Sequence, residues 1–296
     1  MAPQAFHPTD IDALQSLIAS ATCPLCFIAG GSDLLVSPRA PPREGWLIDI
    51  SRTSGLAFIE LRETTLRIGA TTSVDAIARS PIIATHFSAL GQAAELFGSA
   101  QIRNRATIGG NLANASPAGD FLPMLKCARA SFRVLGKDGG ERWLAFDALV
   151  VGAGRTSLAS GDLIAEIRIP LVGRLTRGAF VKLGRREALT ISRLNLTMEA
   201  DFDEGSLRFG EIQLIAGAIA PTPTPMVRAA DTLRGKALSG SAVRAFVEAL
   251  RDDVDEAILG RESRRYKRRA VMGLGFDLLE KITGVTGLDA FPGALP

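Results

Sequence analysis

Histidine and cysteine are scarce in this sequence, which restricts the chemistry that its side chains can support. The 296 residues include only two histidines, His7 and His86, and neither stands in a Ser/His/Asp, His-Glu-x-x-His or Cys/His pattern. A hydrolase that depends on a histidine base or on zinc therefore has little support. The three cysteines are an odd number, which fits a reduced cytoplasmic protein better than a disulfide scaffold.

The few cysteines also exclude a four-cysteine metal cluster within these residues. Cys23 and Cys26 form a C-x-x-C pair, which is typical of a redox pair or of half a zinc site, but only Cys127 remains elsewhere. Pro24 and the apolar segment after it predict buried, inert thiols. A redox or metal role for the pair is the alternative.

Long apolar runs, Walker motifs and nucleic-acid recognition motifs are missing as well. No uncharged apolar run reaches the roughly 18 residues that a transmembrane helix needs. Residues 1–7 lack the basic and apolar regions of a signal peptide. The net charge of +3 is small for a nucleic-acid-binding chain. We therefore expect neither a membrane span nor a nucleic-acid partner.

The basic residues concentrate in one segment, Arg261 to Arg269, where six residues are Lys or Arg. This segment overlaps the last predicted helix. A basic run on a helix either faces solvent or docks on a partner, and the sequence does not separate these two interpretations.

The order of the predicted elements divides the chain into two domains and a tail. The first domain is expected to span 1–175, with parts at about 1–52 and 53–175, and the second to span 176–285. Residues 286–296 form a tail rich in Gly and Pro, which predicts fraying. The mixture of helices and strands predicts an α+β fold class.

Apolar patterning predicts the main elements of each domain. In the first domain it predicts helices at Thr9–Ala21 and Pro81–Leu96. In the second it predicts an antiparallel sheet of three strands followed by helices. The strands are Ala179–Leu183, Ser192–Phe202 and Leu207–Ala220, and the helices are Met226–Leu233, Ser241–Asp252 and Ser263–Ile282.

A glycine pair follows the first strongly apolar segment. Residues 25–29 are apolar, Gly30-Gly31 interrupts them, and Ser32-Asp33 opens a second apolar stretch. This pattern predicts a strand, a glycine turn, a helix cap and a short helix. The N–H groups of such a turn and of a helix N-terminus can bind phosphate.

A second glycine-rich stretch runs from Gln101 to Asp120. Its pair Gly109-Gly110 lets backbone approach a ligand and allows positive φ, and successive N–H groups in such a turn can bind an anion. Four polar side chains that can bond phosphate or ribose oxygens surround the pair, namely Thr107, Asn111, Ser116 and Asp120. The stretch predicts a pyrophosphate site, although a Gly-Asn pair is also a common turn signal.

A third glycine pattern, Val150 to Gly154, begins like the dinucleotide fingerprint of a Rossmann fold. Its third glycine position holds Ser157, and Gly161-Asp162 precedes another apolar strand before a crossover helix could form. Because the fingerprint requires a strand, a loop and a full helix, we do not expect a Rossmann fold.

The two glycine loops together resemble the FAD-binding subunit of the molybdenum hydroxylases, the xanthine dehydrogenase and carbon monoxide dehydrogenase flavoprotein family. The resemblance covers nearly the whole chain and implies a two-part FAD-binding domain of the PCMH or vanillyl-alcohol-oxidase-like type, followed by a small C-terminal domain. The motifs that carry it are Ala29-Gly30-Gly31-Ser32, Thr107-Ile108-Gly109-Gly110-Asn111 with Ser116-Pro117 and Asp120, Lys182-Leu183-Gly184-Arg185-Arg186, Ala220-Pro221-Thr222 and Tyr266-Lys267-Arg268.

The resemblance assigns cofactor contacts to residues of both loops and beyond. Ser116 follows the second loop, and Asp120 is expected at the adenosine end. Phe97 falls where the family places an aromatic ring against the isoalloxazine, Ile164 matches a flavin-lining position, and Lys182 matches a lysine near the flavin. The pyrophosphate and ribityl chain are assigned to Phe27, Ile28, Ala29, Gly30, Gly31, Ser32, Asp33, Leu34, Thr107, Ile108, Gly109, Gly110 and Asn111.

Some of these assignments have structural alternatives. Phe97 could instead pack in the core at a helix end, and Lys182 could be a solvent-facing strand residue. A lysine near flavin N1 would stabilise the reduced anion, so a flavin role is physically sensible. Ser32 stands where Thr or His is common in the family, and it keeps a hydroxyl. Neither glycine loop contains a His or Cys, so we expect non-covalent FAD.

The resemblance also implies partner subunits. The chain has no C-x4-C-x2-C ferredoxin spacing and no room for a molybdopterin domain. We therefore expect a 2Fe–2S subunit and a molybdopterin subunit on separate chains, in a dimer of heterotrimers. Electrons would reach FAD from the 2Fe–2S subunit and leave to NAD⁺ or another acceptor. Such a function needs no protein acid or base, because the flavin carries electrons and hydride.

Two other functions are left open. The first is a stand-alone FAD-dependent oxidoreductase resembling the MurB enzymes, although the C-terminal domain shows no obvious Ser/Glu/Arg reductase constellation. The second is a non-catalytic flavin-binding assembly protein. The sequence does not identify the substrate that is oxidised at molybdenum, since that site would be on another chain.

Overall fold

The first domain combines a parallel and an antiparallel sheet with short helices. A computed structural model of the protein describes residues 4–36, 44–171, 173, 176–186 and 190–290. The strands before residue 171 are β1 (Gln4–Phe6), β2 (Leu25–Ile28), β3 (Trp46–Asp49), β4 (Ile59–Arg62), β5 (Thr65–Gly69), β6 (Ser131–Leu135), β7 (Glu141–Ala145), β8 (Val150–Gly152), β9 (Arg155–Thr156) and β10 (Leu163–Pro170). The helices are α1 (Ile11–Ser20), α2 (Val74–Ala78), α3 (Pro81–His86), α4 (Ser88–Glu95), α5 (Ala100–Arg105), α6 (Ile108–Asn114), α7 (Phe121–Cys127) and α8 (Phe146–Leu149).

The first sheet is small and parallel, with strand order β1-β3-β2. Helix α1 packs against it through the fully buried Leu14 and Ile18, which are spaced by one helical turn. The helix begins where the Asp10 carboxylate accepts from the Ala13 N–H at 2.8 Å. Because β2 runs parallel to its neighbour, the first glycine loop emerges at the carboxyl end of the sheet.

The second sheet is antiparallel, with strand order β4-β5-β10-β6-β7. The segment that begins like a Rossmann fingerprint forms a hairpin of β8 and β9, with Gly154 at the turn in a left-handed conformation (φ 62°). No helix intervenes between β9 and β10 in these described residues, so the rejection of a Rossmann fold is confirmed.

Short helices with polar caps fill the connections of the first domain. In four of these short helices a side-chain oxygen accepts from a backbone N–H three residues later, which satisfies one donor of the first turn. The caps of α2, α3, α5 and α6 are Ser73, Ser80, Ser99 and Thr107. The helix predicted over Pro81–Leu96 is wrong in one respect, because Phe87 adopts a non-helical backbone (φ −137°) that separates α3 from α4 and turns its ring into the core.

The second domain packs one short and two long helices against an antiparallel sheet of order β11-β12-β13-β14. Its elements are β11 (Thr176–Leu183), β12 (Leu194–Asp203), β13 (Arg208–Gly217), β14 (Thr224–Pro225), α9 (Val227–Leu233), α10 (Gly240–Ala257), α11 (Arg264–Thr283) and a 3-10 helix at Leu288–Ala290. The three predicted strands are present, and the proline-rich segment adds β14 as a short fourth strand. Leu288 is fully buried, so the expected tail is packed at least to Ala290, and residues 291–296 lie outside the described ranges.

A buried lysine connects the last helix with the first domain. Lys267 is only 8% exposed, and its Nζ donates to the carbonyl oxygen of Ala218 at 2.6 Å. The Ala218 N–H in turn donates to the carbonyl oxygen of Pro117 at 2.9 Å. The basic helix is therefore not solvated all round, and one of its lysines supports the loop that follows α6. None of the helices in the described ranges is long and apolar enough to cross a membrane.

Candidate functional site

A cleft of about 780 Å³ lies where the two glycine segments meet the second domain. This volume is within the range of small-molecule and cofactor sites. Fourteen of the predicted cofactor contacts line it, namely Phe27, Ile28, Ala29, Gly30, Gly31, Ser32, Asp33, Leu34, Phe97, Thr107, Gly110, Asn111, Ser116 and Asp120. The predicted site is thus a single region of the molecule, although its parts are separated along the chain.

The first glycine loop presents free backbone donors to the cleft. Within the described residues, no acceptor receives a hydrogen bond from the N–H groups of residues 30–34. Gly31 has a φ of 68°, which side-chain-bearing residues rarely adopt. Successive unpaired N–H groups in a tight turn form an anion-binding concavity. The chain makes a single turn here, closed by the Leu35 N–H on the Gly31 carbonyl at 3.1 Å, rather than the predicted short helix.

Gly30 brings the first loop into direct contact with the second segment. A Cβ atom at this position would lie 1.7 Å from the carbonyl oxygen of Arg105, at the end of α5. No side chain fits at that distance, so glycine is required for the two segments to touch. This contact, between residues far apart in sequence, is what assembles the cleft.

The second glycine segment is helical, and its backbone donors are already used. The N–H groups of Ile108 and Gly109 donate to the carbonyl oxygens of Thr72 and Ala70 at 3.2 Å and 2.9 Å. Those of Gly110 and Asn111 donate to the Thr107 hydroxyl and carbonyl, both at 3.0 Å. The prediction of a turn with free N–H groups is therefore wrong for this segment, because Ala70, Thr72 and Thr107 already accept from these donors.

The two glycines of this segment have different functions, and neither has a positive φ. Gly109 is buried, and a Cβ there would lie 2.6 Å from both the Cβ and the carbonyl oxygen of Ala70. Gly110 faces the cleft, and a Cβ there would approach only the Thr107 hydroxyl, at 2.9 Å. Gly109 is thus a packing residue, whereas Gly110 keeps the surface of the cleft clear.

Side-chain oxygens supply the polar groups of the cleft wall that the second glycine segment forms. The Asn111 Oδ1 is buried and has no hydrogen-bond partner within the described residues. Ser116 lines the same wall, and its hydroxyl accepts a long hydrogen bond of 3.4 Å from the Ala118 N–H. A buried acceptor without a donor is costly, so Asn111 is suited to a ligand hydroxyl.

Phe97 has both of the positions that the sequence leaves open, in the core and at the cleft. Its ring stacks on Phe121 with a centroid distance of 5.4 Å and an interplanar angle of 20°. It packs against the core of the first domain and also lines the cleft. Arg103 donates to the Phe97 carbonyl at 3.2 Å, which fixes the backbone that carries the ring.

Asp120 and Lys182 form a buried ion pair beside the cleft. The Lys182 Nζ lies 2.6 Å from Asp120 Oδ2 and donates also to the Leu96 carbonyl at 3.1 Å. Ser192 donates to Asp120 Oδ1 at 2.6 Å. The two charged side chains are 7% and 4% exposed, so the solvent-facing alternative for Lys182 is wrong. Burial raises the pKa of Asp120, and the charge of Lys182 opposes that rise.

This pairing changes the expected contribution of Asp120. Both of its carboxylate oxygens already accept hydrogen bonds from the protein, one from Lys182 and one from Ser192. The carboxylate is therefore oriented by the second domain, and the acceptor sites that remain on its oxygens are those that a ligand hydroxyl could use. Asn195 extends the network by donating to the Ser192 hydroxyl at 3.2 Å.

Four predicted contacts are not among the lining residues. Ile108 and Gly109 are buried behind the wall, and Lys182 reaches the cleft only through Asp120. Ile164 is 4% exposed and packs in the core beside a register shift of β10. The structure thus gives its side chain a core position rather than a place at the cleft.

Several lining residues were not predicted. Those of the first domain flank predicted positions, so a wider window around each motif would have found them. Thr190 and Ile191 come from the second domain, and no sequence signal pointed to them, although Ile191 is 78% exposed. The unpredicted lining residues are Gly98, Ser99, Ile102, Ala106, Ala113, Asn114, Ala118, Gly119, Thr190 and Ile191.

The structure also shows how far the three cysteines are buried and whether the described residues form a metal site. Cys23 and Cys26 are half-buried free thiols, and burial raises the pKa of Cys26. Cys127 is fully buried, which raises the pKa of its thiol well above the ordinary value. In the part of the chain that the structure describes, no group of three or more His, Cys, Asp or Glu side chains could hold a metal ion.

The cleft fits an FAD molecule on its own geometry. It offers the N–H groups of residues 30–34 for phosphate and the Asn111 oxygen for a hydroxyl, none of which has a partner among the described residues, and the ring of Phe97 for an aromatic system. These three kinds of group match the pyrophosphate, the ribityl or ribose hydroxyls and the isoalloxazine of the cofactor.

Comparison with known proteins identifies the family. The model of the FAD binding domain in molybdopterin dehydrogenase matches residues 2–172, more than half of the chain. The chain belongs to this FAD-binding family. The model of the CO dehydrogenase flavoprotein C-terminal domain matches residues 179–282. The predicted family, with FAD as cofactor, is thereby confirmed.

Curated relatives of this family are oxidoreductase subunits. The chain is 30% identical to the nicotinate dehydrogenase FAD-subunit of Eubacterium barkeri over 293 residues, which cover 94% of this chain and 97% of the relative. It is 29% identical to the carbon monoxide dehydrogenase medium chain of Hydrogenophaga pseudoflava, covering 84% and 87% of the two chains. The prediction of an oxidoreductase subunit is therefore confirmed.

Solved structures confirm the fold of this FAD-binding family. Carbon monoxide dehydrogenase from Hydrogenophaga pseudoflava, in a form lacking the Mo-pyranopterin moiety, superposes with a TM-score of 0.81 at 25% identity, covering 95% and 97% of the two chains. Quinoline 2-oxidoreductase from Pseudomonas putida 86 gives 0.84 at 20% identity, covering 96% and 98%, which shows the fold alone.

Proposed function

We propose that the chain is the electron-transfer subunit of a multi-subunit molybdenum hydroxylase. It receives electrons from a 2Fe–2S subunit, which is supplied in turn by a molybdopterin subunit, and delivers them to NAD⁺ or another acceptor. The observation that carries the proposal is the row of N–H groups of residues 30–34, which bond to no described acceptor, on a cleft of about 780 Å³ in a chain of the FAD-binding family. The names of the relatives, an FAD-subunit and a medium chain, support assembly with other subunits.

Each wall of the cleft has a separate task in this proposal. The first glycine loop binds the pyrophosphate through its N–H groups, and Asn111 and Ser116 bind hydroxyl groups of the cofactor. Phe97 holds the ring system in place through its own stack on Phe121. The bound FAD supplies the redox chemistry, because a flavin accepts and donates one or two electrons.

The second domain orients the charged groups beside the cleft. Lys182 is fixed by Asp120 and by the Leu96 carbonyl, so its positive charge stays in one place. A fixed charge in a buried site acts more strongly than one in water and needs no reorganisation during the reaction. In the proposal this lysine favours negative charge in the cleft, while Asp120 limits the net charge of the pair.

The experiment compares the isolated chain with its native complex. The chain alone is expected to show only NADH–dye activity, whereas oxidation of a substrate requires co-purified subunits that contain iron and molybdenum. Substrate oxidation by the isolated chain would favour a stand-alone oxidoreductase instead. If the isolated flavoprotein does not react with NADH, NAD⁺ is excluded as the acceptor and artificial dyes identify the potential range of the true one.

A further inference from the structure

A second cavity, of about 350 Å³, lies on the helical layer of the second domain. Its lining consists of four arginines and one methionine, with no carboxylate. Arg251 comes from α10, and the others come from α11, where their spacing of three and four residues places them on one face. The lining residues are Arg251, Arg265, Arg268, Arg269 and Met272.

Only part of this positive charge is neutralised by the protein itself. Arg251 pairs with Asp252 at 2.9 Å, and Arg268 lies 3.8 Å from Asp255. Arg265 and Arg269 form no ion pair or hydrogen bond with any described residue. Two guanidinium groups are therefore available at one cavity, each with donors in a geometry that matches carboxylates.

The position of these charges is unfavourable for the helix. Basic side chains in the first turns of a helix oppose its dipole and repel one another. The first turn of α11 contains no acidic residue, and Ser263 makes no capping hydrogen bond. Among the described residues, Arg265 and Arg269 form no ion pair that would stabilise the fold, so their charges are available to bind another molecule.

Large apolar groups are also exposed in the first turns of α11 and in the turn before it. Tyr266, three residues before Arg269 on α11, is 48% exposed. Leu259, in the turn between α10 and α11, is 70% exposed. Tyrosine and arginine together are typical of the centres of protein–protein interfaces. A site that binds only a small anion does not need exposed apolar side chains such as Tyr266 and Leu259.

We propose that this face, defined by Arg251, Arg265, Tyr266, Arg268 and Arg269, docks an acidic surface of another subunit of the same complex. The inference rests on the proposed function, because it supplies the surface by which the subunit joins its partners. Arg265 and Arg269 bind carboxylates of the partner subunit, and the Tyr266 ring packs against the partner surface between these two contacts. The cleft that binds FAD is formed by other residues and is not part of this face.

The test variant reverses only the two unpaired charges. Arg264 is left unchanged, because its guanidinium binds both oxygens of Asp255 at 2.7 Å and 2.6 Å and joins α10 to α11. Lys267 is also left, because it supports Ala218. The variant Arg265→Glu/Arg269→Glu is expressed as part of the native complex and purified through a tag on this chain.

A matched control changes the charge of the chain equally at another surface. Arg52→Glu/Arg62→Glu reverses two exposed arginines of the first domain, and among the described residues it removes one ion pair, the exposed one between Arg62 and Glu60. Partner subunits are quantified by mass spectrometry and by iron and molybdenum content, at low and high salt. FAD content and thermal unfolding are measured for each variant.

The proposal expects a loss of partners without a loss of flavin. Arg265→Glu/Arg269→Glu should reduce co-purified partner subunits by about tenfold or more at low salt, where screening is weakest. The control should keep its partners, and FAD content should stay normal in both. If the Glu variant is unstable, Arg265→Gln/Arg269→Gln should give a smaller loss in the same direction.

Three results would overturn the inference. The first is unchanged partner content in both the Glu and the Gln variants, and the second is an equal loss in the control. In the third, inorganic pyrophosphate raises the melting temperature of the wild-type chain but not of the variant, while partner content is unchanged, which would assign the cavity to a small phosphate ligand. A wild-type chain that purifies without any iron or molybdenum subunit would instead contradict the proposed function, and this inference with it.

Discussion

At the scale of single residues, the Asp120–Lys182 pair is a buried ion pair that joins the two domains beside the cleft. It connects the loop after α6 with β11, and it is almost completely shielded from water. A buried charge that loses its partner costs far more than the pair contributes, because desolvation is no longer compensated. Each member is therefore more sensitive to substitution than its place in the sequence suggests.

Replacing Lys182 by methionine should destabilise the protein strongly. Lys182→Met leaves the Asp120 carboxylate buried without its cationic partner, with the neutral side chains of Ser192 and Asn195 beside it. The expected loss of unfolding free energy is about 3–5 kcal/mol. Urea unfolding of the flavin-free protein measures it, since bound FAD would add its own stabilisation.

The control for this substitution neutralises both charges. Asp120→Asn/Lys182→Met keeps a hydrogen-bond acceptor for Ser192 and should recover most of the lost stability, because no buried charge remains. A single variant within about 1 kcal/mol of the wild type would show that the pair is more exposed to water in solution than in the structure.

The second prediction at the residue scale concerns Glu199 and the pH dependence of stability. It lies on β12 near Cys127 and Arg129 of the first domain, and its Oε2 is buried without a partner among the described residues. Burial raises the pKa of Glu199 to about 7, and the positive charge of Arg129 opposes the rise. The carboxyl is thus protonated in the folded protein at a pH where it is ionised in the unfolded chain.

The sign of the pH effect follows from this difference. Between about pH 4.5 and pH 7 the folded state binds more protons at Glu199 than the unfolded state, so stability falls as the pH rises. The fall should reach up to about 3 kcal/mol and end above pH 7. In Glu199→Gln this contribution is absent, so urea unfolding at pH 5 and pH 8 should differ less than in the wild type. An equal pH dependence in both proteins would contradict the assignment.

At the scale of elements, α6 forms a wall of the cleft with a glycine at its surface. Gly110→Val should remove FAD, because its Cβ would meet the Thr107 hydroxyl at 2.9 Å and its methyl groups would enter the cleft. The cause is steric, since Gly110 is helical and needs no positive φ. Absorbance at about 450 nm per protein measures the flavin content of the purified variant.

The matched control is Gly273→Val in α11. That glycine is also inside a helix, but a Cβ there would meet no atom within 4 Å. The two substitutions therefore change intrinsic helix preference equally and differ in the cleft. Normal flavin content is expected for Gly273→Val, and normal content in Gly110→Val as well would show that α6 does not contact the cofactor.

The elements differ in how well the sequence predicts them. Strands with strong apolar patterns, such as β12 and β13, and capped helices, such as α1, are found within a few residues of their predicted positions, because local patterning alone sets them. The break at Phe87 and the helical form of residues 108–114 are not predictable in this way. Both depend on tertiary contacts, with the core in one case and with Ala70 and Thr72 in the other.

The features of the cleft also differ in how well the sequence predicts them. Three of the four loop glycines, Gly30, Gly31 and Gly110, line the cleft. The sequence does not tell which loop has N–H groups without a partner among the described residues, since that depends on where the acceptors lie. Nor does it show that Asp120 is held by Lys182 and Ser192, which come from a different domain. The assigned cofactor contacts and the domain boundaries at 175 and 285 stay predictions.

At the scale of the whole molecule, the two domains share one site. The second domain contributes Lys182, Ser192 and Ile191 beside a cleft that the first domain largely forms. It also supports the Pro117 carbonyl through Ala218, so a change in one domain reaches the other. This arrangement fits a subunit that holds a cofactor in place and leaves its outer helices available for partners.

The most direct measurement is the flavin released by acid from the purified chain. The account predicts one FAD per chain, found in the supernatant after acid precipitation, because neither glycine loop contains a side chain that could attach it. Chromatography of the supernatant identifies the compound as FAD rather than FMN. A colourless protein that does not take up added FAD, or yellow colour retained on the denatured chain, would contradict the account.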